Sequence, residues 1–183
     1  MALSAGLFLF SCSENKPAEI VDFSEWKQKG DSIATISQKA LLEKVSKAIE
    51  KGGTEYAVDF CNVEAMPLTD SLSNSLDVRI SRISDKNRNP ENELNSETDR
   101  EIFKKFAENN SVKDSLFNED EQLVYYKRIN LTMPACIKCH GNPKIDIEPN
   151  TFEKIKSNYP DDKAIGYAMG DFRGLWKIEF RNN

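Results

Sequence analysis

Histidine is nearly missing from this chain: one residue, His140, among 183. That scarcity excludes any centre held by two histidines of the same chain. It also leaves the usual zinc spacings without their further Cys and His ligands. Basic runs are missing as well, and the net charge of −5 disfavours a nucleic-acid backbone as partner. After the first dozen residues no apolar stretch approaches the length of a membrane-spanning helix. Internal repeats and low-complexity tracts are absent. What remains is an apolar fraction of 39% and a charged fraction of 30%, the composition of a soluble globular protein with one domain's worth of core.

The one histidine has a telling neighbourhood. It closes Cys136-Ile137-Lys138-Cys139-His140, a C-x-x-C-H string of the kind at which haem is attached in c-type cytochromes. Two thiols three positions apart can add to the two vinyl groups of one haem c, and the next imidazole can bind its iron from one face. Cys136, Cys139 and His140 are therefore the expected cofactor-binding residues, with His140 a metal ligand. Two disulfides would use the four cysteines but leave the histidine and the spacing unexplained. A thioredoxin-like redox pair needs a βαβ setting and a helix starting at its first cysteine. Here Thr132-Met133-Pro134 before the motif and Gly141-Asn142-Pro143 after it predict a loop.

The N-terminus differs from the rest. Ala2 to Phe10 is a short apolar run followed by Ser11-Cys12, and the chain then turns polar. Such a stretch reads as a secretory signal too short to serve as a permanent anchor. Leu9-Phe10-Ser11-Cys12 resembles the lipobox of bacterial lipoproteins, in which the cysteine takes a diacylglyceryl group, although no Lys or Arg precedes the run. The expected organisation is a signal segment over 1–12, a tether over 13–31 with Trp26 docking on the fold, and one haem domain over 32–183. Export to the periplasmic side and a lipid anchor at Cys12 follow from this reading.

Apolar spacing predicts a helix from Ile33 to Lys51 ended by Gly52-Gly53, then a second from Thr54, kinked or restarted at Pro67. Alternation predicts a strand over 78–84. Ser96 with Asp99 resembles a capping box for a helix through Phe106. A strand over 123–131 leads into the C-x-x-C-H motif, and a short helix covers 151–157. Segments 165–169 and 175–180 are expected to pair as a terminal hairpin. Helices early and strands late give an α+β class around an antiparallel sheet.

The second face of the iron needs a donor, and the soft candidates are Cys61, Met66, Met133 and Met169. A neutral methionine raises the potential, as in electron-carrying cytochromes c; a thiolate stabilises the ferric state and lowers it. Met133 lies only three residues before Cys136, poorly placed to reach the opposite face. Met66 and Met169 also suit core filling, and Cys61 also suits a buried structural thiol. Arg79, Arg82, Arg88 and Arg173 could fork onto haem propionates or stand as solvated surface charge. Tyr125, Tyr126, Tyr167 and Trp176 are expected as pocket wall.

Four stretches together resemble a family of exported single-haem c-type domains with a PAS-like fold. They are Cys61-Asn62-Val63-Glu64-Ala65; Arg82-Ile83-Ser84 with Arg88-Asn89-Pro90-Glu91-Asn92; Cys136 to Gly141; and Tyr159-Pro160, Asp162, Ala164, Gly166-Tyr167 and Gly170-Asp171-Phe172-Arg173-Gly174. The resemblance spans roughly Lys51 to Phe180. It implies an antiparallel sheet flanked by N-terminal helices, with His140 and Cys61 as the two axial ligands. The family tends to place proline directly after the alanine of its cysteine helix. Here Met66 stands between Ala65 and Pro67, which keeps Met66 as a rival ligand.

These expectations describe a lipid-tethered monohaem protein. It would sense redox state or a small gaseous ligand, or pass single electrons, with an unidentified redox or signalling protein as partner. With both axial positions filled, turnover chemistry is disfavoured and no enzyme is expected. The alternatives are a Met-ligated electron carrier and a small peroxidase with an open distal position, for which no distal acid–base group stands out.

Overall fold

The computed structural model describes residues 23–119 and 122–181. The signal segment 1–12, its Cys12 and residues 13–22 of the expected tether lie outside the described residues. From Phe23 onward the tether reading gives way to the start of a helix, α1 (Phe23–Ser75). Packing explains the difference. Trp26 meets Phe180 edge-on with ring centroids 4.9 Å apart, and Ile33 and Ala34 are buried against the sheet. Gly30 lies so close to the Tyr125 ring that a Cβ there would collide with it.

Gly52 and Gly53 interrupt α1 where the sequence predicts a helix end, and Gly53 sits at φ 72°, a conformation glycine adopts at little cost. The helix then resumes as a second arm and passes Pro67 without a break. That differs from the kink or restart predicted at Pro67. The following turns hold: the Thr69 and Ser73 hydroxyls donate to the carbonyls of Ala65 and Thr69, each at 2.9 Å.

Four strands follow: β1 (Val78–Ile83), β2 (Asp114–Glu119), β3 (Gln122–Asn130) and β4 (Phe172–Phe180). They form one antiparallel sheet in the order β1-β4-β3-β2. The period of two along each strand sorts the side chains. Val78, Ile80, Tyr125, Trp176, Ile178 and Phe180 meet Ile33 and Ala34 of α1. Ile83, Val124, Tyr126 and Leu175 meet Ile102, Phe103 and Phe106 of α2 (Glu97–Glu108), which Ser96 caps by accepting from the Asp99 N–H at 2.9 Å. The molecule is thus α+β, with a helical layer on each face of the sheet.

Two local expectations fail, and one strand stands where none was expected. The C-x-x-C-H motif forms a short helix, α3 (Pro134–His140), rather than a loop; Pro134 suits a first turn because its missing N–H costs nothing there. β2 (Asp-Ser-Leu-Phe-Asn-Glu) has no β-branched residue to announce it, and it pairs as an edge strand. Segment 165–169 is no strand, because β4 takes β1 and β3 as its two partners. The backbone of 165–169 bonds to the motif instead: the Gly166 N–H donates to the Gly141 carbonyl at 2.8 Å and the Tyr167 N–H to that of His140 at 3.0 Å. Helix α4 (Pro149–Asn158) covers the short helix predicted at 151–157. Among the described residues no helix is long and apolar enough to cross a membrane.

Candidate functional site

The two arms of α1, the end of β1, α3 and the start of β4 enclose one cavity of about 240 Å³. A hole of roughly 150 Å³ already takes a benzene ring. Leu41, Val45 and Ile49 come from the first arm of α1, and Val58, Cys61 and Ala65 from the second. Arg82 and Ser84, then Cys136, Cys139 and His140, then Arg173 and Trp176 complete the part that bears chemistry. The glycine joint matters here, because both arms of one helix line the same space.

His140 Nδ1 lies 2.8 Å from the Ala164 carbonyl oxygen. A carbonyl only accepts, so Nδ1 carries the proton and Nε2 keeps the lone pair. Burial, with the Arg88 and Arg173 guanidiniums nearby, holds this imidazole well below its usual pKa, so it is neutral and ready to donate to a metal. The ring of Tyr167 stands edge-on to it, centroids 6.4 Å apart.

Cys61, Cys136 and Cys139 are free thiols. Burial pushes Cys61 up in pKa, opposed by Arg82 and Arg88, and burial pushes Cys139 up to about 11. Cys61 reaches the cavity from a different wall than the α3 thiols. Of the described methionines only Met133 lines the cavity, and it holds the N-cap position of the same short helix that carries His140. Met66 and Met169 are not among its lining residues, and Met169 is exposed.

The four arginines separate cleanly. Arg82 and Arg173 line the cavity, and the Nε of each is buried with no hydrogen-bond partner. Arg173 Nη1 donates to Ser84 Oγ at 2.9 Å, and Arg82 lies over the Trp176 ring, 5.7 Å from its centroid. Among the described residues no aspartate or glutamate lines the cavity. Two half-buried cations whose Nε donors are unmet suit an anionic ligand. Arg88 also lines the cavity, but its Nε and Nη2 are engaged with Asp162, each contact 3.1 Å. Arg79 falls on the other face of β1, where it is exposed and 3.4 Å from Glu179. Of the expected wall aromatics Trp176 lines the cavity; Tyr125 packs toward α1 and Tyr126 toward α2.

This donor set suits a flat, apolar, metal-bearing ligand with carboxylate arms. A thiol pair could tether it, an imidazole Nε2 and a thiol could ligate its metal, and two guanidiniums, each with an unmet Nε donor, could take its carboxylates. Haem meets that description. Sequence reasoning missed the anchors of His140, Ala164 and Asp162, which it noted as motif positions without a role.

The model of the Tll0287-like proteins matches residues 23–181, and the chain belongs to the Tll0287-like family. The crystal structure of the cyanobacterial heme-protein Tll0287 is similar, with a TM-score of 0.61 at 20% identity, covering 82% of this chain and 93% of that one. That likeness shows a common fold. Curated proteins give no match.

Proposed function

We propose that this chain is a haem-binding protein, and more finely an exported monohaem c-type cytochrome with a PAS-like fold. Haem would be tethered through Cys136 and Cys139, ligated by His140 and Cys61, and met at its propionates by Arg82 and Arg173. The observation that carries the reading is the lone histidine, fixed by Ala164 as the Nε2 donor and placed beside two thiols in a cavity where Arg82 and Arg173 each leave a buried Nε without a partner. A relative titled a heme-protein supports it.

Iron in such a setting supplies one-electron chemistry. With His140 and Cys61 both holding the iron, no position would stay open for substrate, which favours one-electron transfer or sensing over turnover. A small gas could act by displacing the weaker ligand. A lipid anchor at Cys12 would hold the protein on the outer side of a bacterial membrane, where a redox or signalling partner would read it.

The test is optical and electron-paramagnetic spectroscopy of the ferric protein beside a Cys61→Ser variant. Low-spin thiolate features in the parent that vanish in the variant are expected. Identical spectra would remove Cys61 from the iron.

A further inference from the structure

Arg88 and Asp162 form an ion pair that is almost closed to solvent, their side chains 12% and 5% exposed. The pair does more than satisfy itself. Arg88 Nη2 also donates to the Cys139 carbonyl at 2.6 Å and reaches the Ala164 carbonyl at 3.4 Å. Asp162 Oδ1, which accepts from Arg88 Nε, accepts from the Ala164 N–H at 2.9 Å. Ala164 is therefore held at both its amide and its carbonyl, and that carbonyl takes the proton of His140 Nδ1 at 2.8 Å. The Cys139 carbonyl belongs to the peptide bond leading into His140. One ion pair thus grips the imidazole's acceptor and the backbone that carries the imidazole.

The geometry points to Arg88 and Asp162 as positioning residues that lock His140 into its Nδ1–H tautomer, keeping Nε2 as the donor nitrogen. What Nε2 then binds rests on the haem reading; the lock itself does not. An acceptor on the far nitrogen of a ligating histidine fixes its tautomer and raises its basicity. A guanidinium holds a carboxylate and a carbonyl together in one rigid planar fork, whereas an ammonium is a flexibly mounted point charge without that fixed geometry.

The experiment separates shape from charge. Arg88→Lys keeps the charge and loses the fork; Asp162→Asn keeps the size and loses the ion pair. Nitrogen-15 spectra of the haem-free full chain report a single imidazole, because only one histidine exists. The parent is expected to show protonated Nδ1. In each variant the Nδ1–H form should fall about fivefold relative to the Nε2–H form, the scale of one lost hydrogen bond. In the haem-loaded protein a less basic imidazole favours the ferrous state. The ferric-to-ferrous ratio of Arg88→Lys at fixed potential should then drop about tenfold, equivalent to 59 mV for one electron. If Arg88→Lys keeps both the tautomer and the ratio of the parent, Arg88 acts by charge alone and the lock is overturned. Should that variant fail to fold by far-ultraviolet dichroism, Asp162→Asn decides by the same two readouts. A chain that takes no haem yet shows the tautomer change would sink the cofactor and leave the lock standing.

Discussion

Buried charge lies on both faces of the sheet and is treated in opposite ways. On the α2 face, Lys177 Nζ is 3.0 Å from Asp99 Oδ1 and 3.8 Å from Glu179, and the Tyr126 hydroxyl donates to Asp99 at 2.9 Å. On the α1 face, Arg82 and Arg173 each leave a buried Nε without a partner. The first cluster is closed upon itself and serves the fold. The second leaves two donors unmet, which suits a site that takes an anion. Unpaired buried cations normally weaken a protein; their presence in one cavity therefore says more about ligand than about stability.

The comparison breaks most visibly at Asp99. Replacing it with leucine takes the nearer of two carboxylates from Lys177 and should lower stability in urea by about 3 kcal/mol, while the haem content of the folded fraction stays unchanged. A smaller effect is expected at Arg82. In a Cys136→Ser/Cys139→Ser background, where haem can bind only without thioether bonds, Arg82→Met should weaken haem affinity about tenfold by equilibrium titration, the worth of one charge-assisted hydrogen bond. In the haem-free chain the same Arg82→Met change should raise stability by about 1 kcal/mol, because it removes an unsatisfied buried donor. A fall of that size would mean that Arg82 is satisfied within the fold, and the contrast between the two faces would disappear.

The smallest effect concerns an exposed ion pair, useful as a baseline. Asp31 is held below its usual pKa of 3.8, chiefly by the hydrogen bond from Lys127. The Lys127 Nζ to Asp31 Oδ1 distance is 2.7 Å. A depressed carboxyl stabilises the fold above its unfolded pKa, and that contribution is lost as pH falls through the folded value. Acid titration of the parent against Asp31→Asn should therefore show curves that separate above pH 3.8 and converge below it. Curves that instead separate only on acidification would reverse the assignment.

Parity along β1 tells how much was legible from sequence. Val78, Ile80 and Arg82 share one face, whereas Arg79 shares the other with Ile83. Position alone proposed both arginines; the period of two sends only Arg82 into the cavity. The C-x-x-C-H string, the Gly52-Gly53 joint and the Ser96 cap were all readable, because each is a local device. The rest depends on partners far away in sequence. The helical start of α1 needs Phe180 and Tyr125 to pack against, and β2 exists because β3 offers it an edge. Segment 165–169 has the look of a strand until its hydrogen bonds go to Gly141 and His140. Arg88 looked like a propionate ligand because Asp162, 74 residues on, could not be seen beside it.

Intact mass of the denatured chain, purified from a host that matures c-type cytochromes, tests the central claim most directly. A chain heavier by one haem is expected, with the added mass absent from Cys136→Ser/Cys139→Ser. A correctly folded parent at its bare polypeptide mass would contradict covalent attachment through Cys136 and Cys139.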